Sequence, residues 1–93
     1  MQKNEKAAET RAQQAELNAA RARAGLRRIA YGVSCVEVVR GAGSDEQRAW
    51  GAFVRAPGAQ EPVAEFAAAT HALARSEAVA WIVAVGGELD PAG

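Results

Sequence analysis

Cysteine and histidine occur once each, as Cys35 and His71, and that scarcity removes most site chemistry at the outset. A lone cysteine cannot close an internal disulfide, so a reducing, cytoplasmic setting is expected. A lone histidine excludes two-histidine metal sites, and one Cys with one His falls short of the four ligands of structural zinc. A general base needs a positioned partner. Glu65 and Glu77 each stand six residues from His71, on poorly matched helix faces. His71 therefore reads as a surface or boundary residue. Cys35 sits in an apolar segment without the basic neighbour that activates a thiol, and reads as a small buried hydrophobe. Glu61, Glu65, Glu88 and Asp90 show no pairing that specifies acid–base work, and solvated carboxylates are their ordinary state. No catalytic residue, metal or cofactor is expected.

Long apolar runs are also missing. The longest, Ala78 to Gly87, is far short of the ~20 residues needed to cross a bilayer. The opening stretch, with Lys3, Glu5, Lys6 and Glu9, lacks the apolar centre of a signal peptide. Phosphate-loop chemistry is incomplete. Gly41-Ala42-Gly43-Ser44 starts like a glycine loop, but position 46 is Glu where a dinucleotide fingerprint needs glycine, and no Lys-Ser or Lys-Thr pair follows. With Asp45 and Glu46 adjacent, the segment reads as a hairpin loop. No membrane contact and no small-molecule substrate are indicated.

Large side chains are few. Apolar residues make up 49% of the chain but are mostly alanine, and aromatics only 5%. Ninety-three residues form one domain with a thin core, and thin cores lean on a partner or on self-association for part of their burial.

What the chain does have is a division of charge. Residues 1–40 hold eight cationic side chains against four acids, and residues 41–93 hold three against seven, so a formally neutral chain is +4 in one part and −4 in the other. Surfaces polarised in this way steer association.

Helix formers fill residues 3–28, and the domain divides into a long helix over 1–28 and a compact part over 29–93. Ala8, Ala12, Ala15, Ala19, Ala22, Leu26 and Ile29 alternate steps of four and three. That spacing is a narrow heptad stripe, which either meets a partner helix or rests on the chain's own domain. From Ile29 to Val39 β-branched residues gather, with Tyr31, Val33 and Cys35 alternating with Gly32 and Ser34 as in a half-buried strand. Arg48 to Ala56 reads as its hairpin partner. The rival is a short helix capped by Ser44, since Ser-Asp-Glu-Gln has capping-box spacing. Pro57-Gly58 ends that element. Val63 to Ser76 reads as a second helix with Pro62 in its first turn, Ala78 to Val85 as a third strand, and Leu89 to Gly93 as a loose tail. The expected fold is α+β in the order α-β-β-α-β, with both helices on one side of a small antiparallel sheet and no internal repeat. An all-helical bundle is the alternative.

Arg21, Arg23, Arg27 and Arg28 fall within eight residues with no acid among them. On one continuous helix they flank the alanine stripe. Guanidinium forks suit carboxylate and phosphate, but no aromatics interleave as nucleic-acid binding favours. The expectation is a non-enzymatic protein–protein interaction module, such as an adaptor, an assembly subunit or an inhibitor of a larger machine, of the kind mobile elements also carry. It would dock through this basic helix, with Trp50, Phe53 and Trp81 as further anchors where exposed. The alternative is a small nucleic-acid-binding regulator using the same arginines on phosphates.

Overall fold

The computed structural model describes residues 2–41, 43 and 47–91, with backbone alone for 2–6 and 40. The elements are helix α1 (Gln2–Arg23), strands β1 (Ala30–Arg40), β2 (Gln47–Arg55) and β3 (Ala64–Ala68), helix α2 (His71–Ala84) and the short strand β4 (Glu88–Leu89). The class is α+β, not a helical bundle, and the order is α-β-β-β-α-β. The sheet runs β3-β2-β1-β4. It is mixed: β1 pairs antiparallel with β2 and β2 with β3, while β4 lies parallel to β1 at Ala30 and Tyr31.

Helix α1 stops five residues before the expected end. Gly25 adopts φ 75°, which side-chain-bearing residues resist. The Leu26 N–H then reaches the Arg21 carbonyl at 2.8 Å and the Gly25 N–H reaches Ala22 at 3.1 Å, a closed left-handed cap. Helix α2 ends the same way at Gly86, φ 75°, with Gly87 donating to Ile82 at 2.9 Å.

The β1–β2 hairpin stands where the alternation placed it, in continuous register from Gly32 opposite Arg55 to Arg40 opposite Gln47. The competing capped helix fails from Gln47 onward, and Ser44 itself lies outside the described residues. The segment expected to be one helix from Val63 to Ser76 divides instead. Ala64, Phe66 and Ala68 turn to one side and pair with Val54, Ala52 and Trp50. Cross-strand packing there outweighs alanine's helix preference. The helix starts only at His71, where the Thr70 hydroxyl accepts the Leu73 N–H at 3.1 Å.

Of residues 78–85, expected as a strand, 78–84 complete α2 and Val85 caps it. Ala74, Ala78, Ile82 and Val85 recur at helical spacing and are fully buried, whereas Val83 is 70% exposed. The alternation of Val79, Trp81, Val83 and Val85 was therefore not a sheet pattern, and valine's reluctance in a helix amounts to only about 0.5 kcal/mol. Strand β4 runs into the expected tail at Leu89, and the N–H groups of Glu88 and Asp90 donate to the Ile29 and Tyr31 carbonyls at 2.9 and 2.8 Å.

One side of the sheet carries the core. Tyr31, Ala52 and Val54 meet Ala74, Ala78, Ile82 and Val85 of α2, with Ala15 of α1 packed against the same cluster. Both helices thus lie on one side. The opposite side presents Ser34, Val36 and Val38 of β1, Ala49 and Phe53 of β2 and Ala67 of β3, with no helix over it among the described residues.

Candidate partner-binding surface

The attachment of α1 sets the geometry of the basic end. Among the described residues of α1 only Asn18 is buried, and it is the one buried polar side chain among all described residues. Its Nδ2 donates to the Tyr31 hydroxyl at 3.0 Å and to the Gln14 carbonyl at 3.0 Å, and its Oδ1 accepts the Ile29 N–H at 2.9 Å. The Tyr31 hydroxyl donates in turn to Gln14 Oε1 at 2.7 Å. Every polar atom at this junction is satisfied, so the network clips the helix to the first strand without leaving buried groups bare. Burial pushes the Tyr31 phenol above 10.0, and the Asn18 hydrogen bond partly offsets that rise. The Tyr31 ring meets Trp81 edge-on at 5.6 Å.

Because α1 ends at Arg23, the four arginines do not share a helix face. Arg21 and Arg23 belong to the last turn of α1, and Arg27 and Arg28 to the segment leading into β1. The turn nevertheless folds three of them together. Arg21, Arg27 and Arg28 line an open cleft of about 740 Å³ whose walls include Leu17, Ile29, Pro57 and Pro91. The Arg21 guanidinium donates to the Arg27 carbonyl at 2.7 Å, which holds the turn closed. Arg23 points elsewhere and pairs with Glu16 at 3.0 Å on the same helix.

The acidic part of the chain claims little of this charge. Glu88 also lines the cleft and approaches Arg27 at 3.6 Å, but the Arg27 side chain is 89% exposed. Ion pairs this exposed contribute ~0–1 kcal/mol and yield readily to a competing anion. Arg28 is exposed and makes no ion pair among the described residues. Leu17, on the same wall, leaves half its surface in water. The cleft thus joins cationic forks to an apolar contact.

The alanine stripe is partly used by the chain's own domain. Ala15, Ala19 and the more exposed Ala22 line a groove with Ala84, Val85 and Gly86 at the end of α2, whereas Ala8 and Ala12 are exposed outside it. Leu26 lies beyond the helix. The aromatic anchors occupy three separate places. Trp50 is half-buried with its ring 4.9 Å from that of His71, which is exposed at the start of α2. Trp81 packs on Tyr31. Phe53 lies on the helix-free side of the sheet, with the Arg55 guanidinium 6.0 Å above its ring. None of the three lines the arginine cleft.

Cys35 is half-buried on the core side of β1, opposite Ala52. Among the described residues no three His, Cys, Asp or Glu side chains gather as metal ligands, and no helix is long and apolar enough to cross a membrane. Sequence reasoning missed Asn18, Gln14 and Leu17. An asparagine interrupting an alanine-rich helix was the available signal for the first. Compared with known proteins, the chain matches no family model, no curated protein and no solved structure.

Proposed function

We propose that this chain is a non-enzymatic protein-interaction module, an adaptor, assembly subunit or inhibitor, that docks an acidic segment of a partner protein in the cleft formed by Arg21, Arg27 and Arg28. The observation that carries the reading is that Arg21, Arg27 and Arg28 line one open, partly apolar cleft, where the one ion pair among the described residues is the 3.6 Å contact of Arg27 with Glu88. Arginine forks bind carboxylates in paired hydrogen bonds, and Leu17 beside them supplies the apolar contact that a purely electrostatic patch lacks. A non-catalytic role is supported by what surrounds the reactive side chains: His71 lies against Trp50, and Cys35 faces Ala52 within the sheet. A cytoplasmic setting is supported by the unpaired cysteine.

Nucleic-acid phosphates suit the same arginines, so the test separates the two. Capture by the tagged full chain, with and without nuclease, is compared with capture by Arg27→Glu plus Arg28→Glu. A nuclease-resistant protein partner lost in the double variant is expected. A catch that nuclease abolishes points to the regulator reading, and capture unchanged by the charge reversals removes the cleft from consideration.

A further inference from the structure

The sheet has three free margins, and two are blunted. Strand β3 offers its outer side over five residues that include Glu65 and follow Pro62. Strand β4 is two residues long, with a turn at Pro91 after it. Short strands, charge and proline are the ordinary means by which a sheet avoids pairing with another chain. The third margin is long and has no proline. β1 is eleven residues long, but β4 covers only Ala30 and Tyr31. The carbonyls of Ile29 and Tyr31 point toward β4. By strand alternation, the N–H and C=O groups of Val33, Cys35, Glu37 and Val39 point the same way and meet no strand among the described residues. This stretch holds no proline and no lysine, runs without a bulge against β2, and carries Glu37, already offset by Arg48 at 3.7 Å, and Arg40 at its end.

We propose that this margin of β1 is an interface between two copies of the chain, paired antiparallel about a two-fold axis through Val36. Chain geometry selects both the occupant and the register. The free stretch is bounded on one side by β4 at Tyr31 and on the other by the turn at Gly41, φ 84°. Its midpoint is Val36. Centring the axis there pairs Val33 with Val39 and Cys35 with Glu37 of the second copy, so every outward N–H and C=O is used and no carboxylate faces its own copy. Sliding by one pair of residues toward Gly41 sets Glu37 against Glu37, and sliding the other way runs the second strand into β4. Both copies keep their helices on the same side, because even-numbered residues still face even-numbered ones. The result is a continuous six-stranded sheet, β3-β2-β1 joined to its mate. Val36 and Val39, 46% and 49% exposed in the single chain, lie along the join. A two-fold contact closes on itself and adds no third copy.

The axis makes a positional test available. Residue 36 meets itself as a non-hydrogen-bonded pair with Cα atoms about 4.5 Å apart, inside the range of about 4.4–6.8 Å that a disulfide spans. Residue 34 meets residue 38, which leaves the two copies of position 34 more than about 13 Å apart. Full-length chains carrying Cys35→Ser with either Val36→Cys or Ser34→Cys are oxidised mildly and followed by non-reducing electrophoresis. The Val36→Cys chain is expected to form covalent dimer at least tenfold faster than the Ser34→Cys chain. In parallel, sedimentation of the unaltered chain is expected to give twice the chain mass, and Val36→Lys, a change at an exposed side chain, to halve it with the circular dichroism spectrum retained. A single-chain mass at the highest attainable concentration overturns the proposal, and so does equally fast cross-linking at positions 34 and 36.

Discussion

Replacing Gly87 with alanine puts a methyl group where the structure has no room for one. A Cβ on Gly87 meets Tyr31 Cε2 at 2.3 Å and Cδ2 at 2.7 Å, with the Ile29 carbonyl at 3.2 Å. The ring cannot swing aside, because Tyr31 is fully buried and its hydroxyl is tied to both Gln14 and Asn18. Overpacking a filled core costs about 1–3 kcal/mol, and this site belongs at the upper end of that range. A loss of about 3 kcal/mol corresponds to roughly 12–24 °C in Tm for a domain of this size. Two neighbours calibrate the effect. Gly86→Ala keeps an ordinary 3.5 Å contact to Asn18 Cβ and suffers only from φ 75°, about 1–2 kcal/mol. Gly32→Ala meets nothing within 4 Å and should be nearly neutral. Urea unfolding followed by tryptophan fluorescence gives all three on one scale. Tyr31→Phe should leave the Gly87→Ala defect in place, since the ring carbons make the clash, whereas Tyr31→Leu should relieve part of it in a double-mutant cycle. A Gly87→Ala chain as stable as Gly32→Ala would refute the packing assigned to this junction.

Asn18→Ala should destabilise by about 1–3 kcal/mol, because the Ile29 N–H loses its acceptor in a part-buried setting and Tyr31 loses a donor. An equilibrium midpoint matching that of the unaltered chain would contradict that role. The one tyrosine of the chain gives a pH-dependent readout. Its native pKa is raised above 10.0 by burial, so the stabilisation it contributes is complete below that value and is lost as pH climbs through the higher, native one. Ultraviolet titration should show phenolate appearing late and together with loss of the folded circular dichroism signal. Ionisation at the ordinary pH with the fold intact would show the hydroxyl to be solvated.

How much of this was readable in advance depended on which signals were local. The β1–β2 hairpin was, because Tyr31, Val33 and Cys35 alternate and the glycine-rich segment separates two such runs. The long helix was too, but its end was misplaced: a lone glycine in a run of helix formers is tolerated or terminates, and only the Leu26-to-Arg21 hydrogen bond decides which. Helix was read correctly over residues 71–76, but 64–68 and 78–84 were exchanged between helix and strand because alanine-rich sequence supports both periods. Phe66 gains its place from registry with Ala52, and Ile82 from contact with Tyr31 and Val54, and neither relation is visible along the chain. The arginine cluster was legible as charge but not as shape. The cleft exists because Gly25 turns Arg27 and Arg28 back beside Arg21, and Leu17 joins it through the angle that Asn18 sets.

The most direct measurement of the docking cleft is an amide chemical-shift titration of the isotope-labelled chain with a short oligoglutamate peptide at physiological salt, repeated with a single-stranded oligonucleotide. Perturbations concentrated at Leu17, Arg21, Arg27, Arg28 and Ile29 by the acidic peptide, and abolished by Arg27→Glu plus Arg28→Glu, are expected. Shifts scattered over the surface, or a cleft that responds to the oligonucleotide and ignores the peptide, would contradict it.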